Sequence, residues 1–236
     1  MYASSDLNRG HTCFTIPNGL MLTVRSCDLF TKMPRGVFEP VDQLILALHF
    51  EVWLGTASRF KPYLDMLPRR LDTPLFWSNA EVESLRGLDI FATVASERLH
   101  MRREFRVLRA LLDAHCPLPA FCASVSPGSY TRLGSLVRAY AFSGSGSMDA
   151  PDSSVRMVPL ADMLNHSTRN NAHLFLGGGG GGGGGAAKSK SIRTKSRVRA
   201  GAELWNSYGD LSNGQLLCRY ATRRGRGGGR VVGALL

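Results

Sequence analysis

The sequence lacks the features of a disulfide-stabilised or membrane-spanning protein. Its five cysteines are odd in number and show neither CxxC spacing nor a tight cluster with histidine: Cys13, Cys27, Cys116, Cys122 and Cys218. Neither a disulfide framework nor a zinc site is therefore indicated. The N-terminus lacks the uninterrupted apolar stretch of a signal peptide, and no run is long and apolar enough to span a bilayer. We expect a soluble intracellular protein without a membrane partner; these features do not distinguish chloroplast, cytoplasm and nucleus.

The sequence also contains few acidic residues. The 236 residues include 18 Asp and Glu against 29 Lys and Arg, which gives a formal net charge of +11. Such a surplus favours acidic partners: nucleic acid, an acidic protein surface or an anionic membrane. The segment RRGRGGGR at 223–230 resembles RNA-contacting repeats, but one short copy favours a solvated tail, so nucleic acid is not the expected partner. With 44% hydrophobic and 20% charged residues, the composition is that of a globular domain.

The order of apolar patterns predicts strands, then helices, then strands. Residues 12–25 carry strand-forming residues on both sides of a Pro-Asn-Gly turn, which predicts a hairpin or a strand corner. Helical spacing and capping residues predict amphipathic helices over 41–55, 78–87, 88–112 and 127–140. Strand-like texture returns at 155–160, 172–176 and 202–208. This order predicts an α+β protein in which a helical insert interrupts a small β-core.

Some basic and glycine-rich features have a simple structural interpretation. The arginines within 88–112 lie largely off the apolar stripe, so we interpret them as a solvated face. The run Gly177–Gly185 cannot hold regular structure without a large entropic loss, so it predicts a flexible loop. The Lys188-Ser189 pair after it superficially resembles a phosphate-binding loop. However, Ala187 replaces the required glycine and no apolar helix face follows, so a nucleotide site is not supported.

The stretch VPLADMLNHS at 158–167 places polar side chains directly after an apolar, strand-like lead. His166 could be a metal ligand, a general base or a histidine satisfied in a polar corner. No His, Cys or Glu stands at metal-ligand spacing, so ligation is the least supported of the three. Asp162 would allow an Asp–His pair, but no Ser or Cys has a nucleophile-elbow context, so hydrolase chemistry has little support. The residue types alone leave a base and a structural histidine open.

Several stretches, in order, resemble SET-domain protein methyltransferases of the Rubisco large-subunit methyltransferase-like class, in which an insert splits the SET domain. The NHS of 158–167 is similar to the family signature, and AGAELWNSYGDLSNGQLLCRY at 200–220 is similar to the rest of the second half of the SET core. GTASRFKPYLDMLP at 55–68 and TPLFWSNAEVESLRG at 73–87 are similar to the inserted helical subdomain. The resemblance covers about 6–220. It implies an α+β SET β-core of short strands with a knot-like C-terminal segment.

The resemblance implies S-adenosyl-L-methionine as the cofactor and a protein lysine as the methyl acceptor, with no metal. Asn165 and His166 would hold the cofactor, and Asp162 would brace the strand end beside them. Tyr208 would be the active-site tyrosine. Tyr140 stands where the family tends to carry an arginine that pairs with the cofactor carboxylate. As a cofactor contact, a tyrosine offers one hydrogen bond instead of a bidentate salt link.

The resemblance also divides the chain into segments. In order, we expect the N-terminal part of the SET core at 1–40 without its first strand, the inserted helical subdomain at 41–150, the C-terminal part of the core at 151–222 with the glycine loop, and the basic Arg/Gly tail at 223–236. Asn213 is expected to cap a helix over 213–220.

By the same resemblance, we expect the chain to be truncated at both ends. We expect it to begin after the family's glycine-containing first strand, which contacts the cofactor, and to carry the Arg/Gly tail where the family has an all-helical C-terminal substrate-binding domain. The YAT at 220–222 stands where the family has YGF. These departures leave two interpretations: a lysine methyltransferase, or a catalytically impaired SET fragment that acts as a protein-binding module. The acceptor protein, a lysine or histidine acceptor and the number of methyl groups stay open, and a monomer is expected.

Overall fold

A computed structural model describes residues 1–34, 36–69, 71–143, 155–175 and 189–220, together with the backbone of 222–224 and 231–233. Contacts between residues divide the chain into two compact units. The β-unit comprises Met1–Met21, Val158–Leu216 and Thr222–Leu236, and the helical unit comprises Leu22–Met157 and Leu217–Ala221. The predicted glycine loop Gly177–Gly185 lies outside the described residues. The predicted domain borders stay a prediction.

The described elements follow the predicted order of strand, helices and strands, with one further helix near the C-terminal end. The helices are α1 (Pro40–Leu54), α2 (Lys61–Met66), α3 (Asn79–Glu83), α4 (Asp89–His115), α5 (Pro119–Ser124), α6 (Pro127–Tyr140) and α7 (Asn213–Tyr220). The strands are β1 (Thr12–Pro17), β2 (Ala141–Phe142), β3 (Arg156–Met157), β4 (Ala172–Phe175), β5 (Ser189–Thr194), β6 (Thr222–Arg224) and β7 (Val231–Gly233). None of the helices in this described part is long and apolar enough to cross a bilayer.

The β-unit is built on a three-stranded antiparallel sheet in the order β1-β5-β4. Ile192 of β5 is fully buried and pairs with Phe14 on one side and Leu174 on the other. The first of the two strands predicted in 12–25 is confirmed, but the second is wrong, and with it both the hairpin and the strand corner. After β1 the chain forms 3₁₀ turns at Asn18–Leu20 and Val24–Ser26 instead of a second strand. Strand β1 pairs with a distant strand because the turn directs the following residues away from it.

The predicted Arg/Gly tail contains a short antiparallel pair. Thr222 of β6 pairs with Gly233 of β7, and Arg224 pairs with Val231. This backbone pairing does not test the prediction of a solvated tail, and 225–230 lie outside the described residues.

Helix α1 is confirmed within one residue but is not amphipathic. Pro40 occupies its first turn, where a missing N–H costs nothing, and Gly55 ends it with a φ of 57°. Every residue from Gln43 to Glu51 is buried, so the helix is enclosed on all sides. Two of its buried polar side chains are satisfied locally: Gln43 Nε2 donates to Phe38 O (2.7 Å), and Ser58 Oγ donates to Glu51 Oε2 (2.6 Å).

The close approach of α1 and α4 to α6 depends on a glycine. A Cβ at Gly134 of α6 would lie 3.1 Å from Met101 Cε and 3.3 Å from Ile45 Cδ1. Both distances are shorter than ordinary contacts, so the ends of these two side chains would have to move by a few tenths of an ångström to admit a side chain there. At the ends of the helical unit, Leu22 and Met157 exchange backbone hydrogen bonds of 3.1 and 2.9 Å. This exchange ties together the two points where the chain enters and leaves the unit.

The capping box predicted at 78–81 is confirmed. Ser78 Oγ accepts from the Glu81 N–H (3.2 Å), and Glu81 Oε2 accepts from the Ser78 N–H (2.6 Å). The helix that follows, α3, ends at Glu83, before the expected Gly87. Leu88 is the N-cap of α4 and is exposed, so it does not belong to the predicted apolar stripe.

The interpretation of the α4 arginines as a solvated face is wrong for two of them. Arg98 donates to the carbonyl oxygens of Pro74 (2.9 Å) and Trp77, and to Asn79 Oδ1 (3.2 Å). Arg109 donates to Cys122 O (2.6 Å) and pairs with Asp113. A guanidinium carries five N–H donors in a fixed plane, so one side chain can satisfy several carbonyls at once. These arginines fasten α4 to the segments beside it.

Replacement of Arg98 with lysine is expected to lower the free energy of unfolding by about 1–2 kcal/mol. A lysine keeps the positive charge, but its single ammonium group cannot donate to all three acceptors as the planar guanidinium does. The partly buried carbonyls therefore lose hydrogen-bond donors. Urea denaturation followed by circular dichroism measures the change. Arg103→Lys, at an exposed position on the same helix, is the matched control and should shift the midpoint very little. Equal midpoints for the two variants would contradict the role given to Arg98.

Helices α1 and α6 are joined by a hydrogen bond between a buried phenol and a carboxylate. Tyr130 is fully buried, and its Oη donates to Asp42 Oδ1 (2.8 Å). Burial raises the pKa of Asp42 to about 6, although the bond from Tyr130 opposes this rise. Burial has the opposite effect on His49, whose pKa is lowered to about 4 because its charged form is the cation.

Asp42→Asn is expected to stabilise the protein at neutral pH. The pKa of Asp42 is higher in the folded chain than its ordinary value, so folding favours the protonated carboxyl. The stability that this gives is fully present below pH ~4 and is lost as the pH rises through about 6. The free energy of unfolding of the variant should therefore exceed that of wild type by about 1–2 kcal/mol at pH ~7.5. This figure is smaller than the shift in pKa alone would give, because Asp42 is partly exposed and solvent screens its charge. The difference should approach zero near pH ~4.

Urea unfolding of both proteins across this pH range measures the difference. The titration of His49 is common to both proteins and cancels. A difference that stays constant with pH would show that the Asp42 carboxyl does not titrate in this range.

Candidate functional site

The candidate site lies in the β-unit, where two segments distant in sequence run side by side. His166 forms a parallel β-bridge with Asn206. The Asn206 N–H donates to Asn165 O (2.8 Å), and the Ser167 N–H donates to Asn206 O (2.9 Å). This pairing fixes the segment 164–167 against the segment 203–208.

Tyr208 and His166 contact each other through both ring and backbone. Their rings are stacked with centroids 5.1 Å apart and planes inclined by 28°. The Tyr208 N–H donates to His166 Nδ1 (2.9 Å), and Tyr208 Oη donates to Leu164 O (2.9 Å). Because Nδ1 accepts a hydrogen bond, the imidazole is neutral and carries its proton on Nε2. His166 is only 1% exposed, so this arrangement is held inside the unit.

The first segment enters the site through a tight turn. Leu160 has a φ of 70°, a conformation that is strained for a bulky side chain. A 3₁₀ turn over Ala161–Met163 follows, in which Asp162 is buried and its N–H donates to Val158 O (3.2 Å). Ala161 and Leu164 are fully buried and anchor the turn, which directs the chain into the extended stretch 164–167.

The second segment is held by Asn171 and Glu203, neither of which the sequence analysis identified. Asn171 Nδ2 donates to Glu203 O (2.9 Å), and its Oδ1 accepts from the Trp205 N–H (2.8 Å). Glu203 Oε1 accepts from Asn165 Nδ2 (2.8 Å). The available signal was the position of Glu203 at the start of a strand-like stretch, opposite an asparagine-rich one. That signal does not say which side chains meet.

The charge of these segments suits a cationic ligand. Residues 158–167 and 202–212 contain Asp162, Glu203 and Asp210 but no lysine or arginine, in a chain with a net charge of +11. Acidic groups and oriented carbonyl oxygens stabilise a positive charge nearby. The described residues contain no group of three or more His, Cys, Asp or Glu side chains placed to hold a metal ion.

The chain is similar in sequence to lysine methyltransferases of vertebrates. It is 31% identical to N-lysine methyltransferase setd6 of Danio rerio over 239 residues, which cover 93% of this chain and 49% of that protein. It is 29% identical to N-lysine methyltransferase SETD6 of Homo sapiens over 234 residues, which cover 93% of this chain and 47% of that protein. The chain thus spans about half the length of the curated relatives it matches. No protein-family profile matches it.

Solved structures of one methyltransferase share the fold. The crystal structure of the SET domain of LSMT bound to lysine and AdoHcy superposes with a TM-score of 0.75, covering 94% of this chain and 50% of that chain at 21% identity. The chain is therefore similar in fold to the SET domain of this methyltransferase and similar in sequence to the N-lysine methyltransferases named above. A second split-SET structure, Rubisco LSMT bound to AdoMet, gives a TM-score of 0.70, covering 95% of this chain and 49% of that chain at 20% identity.

The match to these SET-domain structures confirms the predicted α+β SET fold with a helical insert. Within the β-unit, three predicted site residues come together: Asn165, His166 and Tyr208. Asp162 lies in the turn that precedes them. Tyr140 is the last residue of α6, in the helical unit. The roles given to these residues stay predictions.

Two local predictions in this part of the chain are wrong. The stretch 202–208 is not a regular strand; it forms isolated bridges at Glu203, with Tyr2, and at Asn206. Helix α7 matches the predicted range, but Ser212, not Asn213, caps it. Ser212 Oγ accepts from the Gln215 N–H (3.2 Å), and the Ser212 N–H donates to Gln215 Oε1 (2.9 Å).

Proposed function

We propose that this chain transfers a methyl group from S-adenosyl-L-methionine to a lysine side chain of a protein. The observation that supports this most is the pairing of 164–167 with 203–208. It brings the Tyr208 hydroxyl to Leu164 O and stacks the Tyr208 ring on His166. Asn165 and His166 are the residues proposed to hold the cofactor, with Asp162 supporting the turn before them. Tyr140 is proposed as a further contact through its hydroxyl.

The reaction requires alignment and a neutral amine more than acid catalysis. When bound, S-adenosyl-L-methionine supplies a methyl group activated by a sulfonium. A lysine amine has a reference pKa of about 10.4, so it is almost fully protonated at neutral pH. An apolar surrounding and a neighbouring positive charge both disfavour the ammonium and lower that pKa. Holding two reactants in register can contribute roughly 7–11 kcal/mol.

The geometry of Tyr208 suits it to orient the acceptor amine. Its hydroxyl proton is directed at Leu164 O (2.9 Å), so the phenolic oxygen retains lone pairs that can accept a hydrogen bond from the amine. The bond from its backbone N–H to His166 Nδ1 fixes the backbone at Tyr208, and the stack on His166 keeps the ring in place. The acidic side chains of the two segments, with no lysine or arginine among them, favour a cation held between the reacting groups.

Calorimetric titration with S-adenosyl-L-methionine and transfer of radiolabelled methyl groups to proteins of a cell lysate test the proposal. We expect saturable binding and labelled protein whose methyl group is recovered on lysine after hydrolysis. Recovery on histidine would overturn the acceptor but retain the methyl transfer. Binding to lysate proteins without labelling would favour the protein-binding module, and an absence of cofactor binding at millimolar ligand would overturn the proposed activity.

A further inference from the structure

We propose that Glu203 is a positioning residue of the cofactor site, acting through Asn165 as a negatively charged acceptor. This inference rests on the proposed function, because it names how the chain favours a sulfonium. Glu203 Oε1 accepts a hydrogen bond of 2.8 Å from Asn165 Nδ2. Asn165 in turn accepts the Asn206 N–H at its backbone carbonyl, which lies in the pairing that builds the site.

The backbone at Glu203 is held in place from several directions. Its carbonyl accepts from Asn171 Nδ2 (2.9 Å), and Glu203 forms an antiparallel bridge with Tyr2. The next residue, Leu204, donates its N–H to Met1 O (2.8 Å) and is buried. Because this backbone is already fixed, the bond to Asn165 has to restrict only the side chain of Glu203.

The charge of Glu203 gives this bond a function that a neutral acceptor would not have. A hydrogen bond from an amide to an ionised carboxylate is stronger than a neutral one and polarises the amide, which makes its oxygen a better partner for a cation. The chain concentrates basic residues elsewhere, and Glu203 is one of only three charged residues in 158–167 and 202–212, all of them acidic. The carboxylate should therefore favour the cationic cofactor over its neutral thioether product.

The product, S-adenosyl-L-homocysteine, differs from the cofactor by the methyl group and the sulfonium charge, so the pair isolates the effect of charge. We expect Glu203→Gln to weaken binding of S-adenosyl-L-methionine by about tenfold and to change binding of the product by less than about twofold. Glu203→Asp keeps the charge and should preserve the preference between the two ligands even if it weakens both. Calorimetric titration with each ligand gives these ratios without a turnover assay.

Asn171→Ala is the matched control, because it loosens the same backbone segment at Glu203 and Trp205 without removing the carboxylate. It should lower the melting temperature but leave the preference between cofactor and product unchanged. The inference would be overturned if Glu203→Gln weakened the affinity for both ligands by the same factor, or changed neither affinity. In that case, binding of the cofactor by the wild-type protein would still support the proposed function. If Glu203→Gln does not fold, loss of the preference in Glu203→Asp overturns the inference. Wild-type protein that binds neither ligand would overturn both.

Discussion

Tyr208→Phe is expected to lower kcat for methyl transfer by at least about a hundredfold, with the affinity for S-adenosyl-L-methionine within about threefold of wild type. The variant loses the hydroxyl that donates to Leu164 O and, in the proposed mechanism, accepts from the amine. The ring stack on His166 and the backbone bond to Nδ1 do not require the hydroxyl and should remain. An orienting group that acts only on the reacting geometry affects kcat much more than cofactor binding. Single-turnover kinetics with radiolabelled cofactor, together with calorimetry, separate the two quantities.

Tyr130→Phe is the matched control for this change. It also removes one phenol hydroxyl, but the bond it loses is the one to Asp42 in the helical unit. This control should alter the free energy of unfolding and leave kcat within about twofold. If Tyr208→Phe and Tyr130→Phe had the same kcat, Tyr208 would have no part in the chemistry.

His166→Ala is expected to weaken cofactor binding by at least about a hundredfold and to lower the free energy of unfolding by about 3 kcal/mol. The side chain is 1% exposed, so its removal leaves a cavity and takes away the ring that stacks on Tyr208. The Tyr208 N–H would also lose its acceptor, which by itself costs about 1–3 kcal/mol when the donor is buried. Urea denaturation and calorimetry measure the two effects.

A conservative variant distinguishes the hydrogen bond from the bulk of the ring. In His166→Asn, the amide oxygen can replace Nδ1 as acceptor for the Tyr208 N–H, so this variant should recover part of both losses. His49→Ala is the control for burial, because His49 is also buried in an aromatic contact, with Phe121, but belongs to the helical unit. It should destabilise the protein without changing cofactor affinity. Equal cofactor affinities for His166→Ala and wild type would remove His166 from the binding site.

Local features of the fold could be predicted from the sequence. The Ser78 capping box and the Pro40 and Gly55 boundaries of α1 depend on residues close together in sequence, so their physics can be assessed without the rest of the chain. The degree of burial could not be assessed in this way. Helix α1 buries Gln43 and Glu51, and this is possible only because Phe38 O and Ser58 Oγ supply partners.

The site could be predicted only through the family resemblance. Periodicity indicated a regular strand over 202–208, but this stretch is held by side chains such as Asn171 and by single bridges, which leave no periodic signal. The bond between Asn165 and Glu203 joins two polar residues that sequence patterns assign to exposed positions. Which polar groups meet is decided by the pairing of distant segments, and no local rule determines that pairing.

Strand β1 depends on residues that are synthesised long after it. Its partner, β5, begins at Ser189, whereas the helical unit is built mainly from the continuous stretch Leu22–Met157 between them. A chain emerges from the ribosome N-terminus first at about 5–20 residues per second, and domains generally fold as units during synthesis. The helical unit can therefore fold while Thr12–Pro17 still lacks its hydrogen-bonding partner. During that interval the strand is an unprotected edge, the kind of segment that chaperones must shield from aggregation.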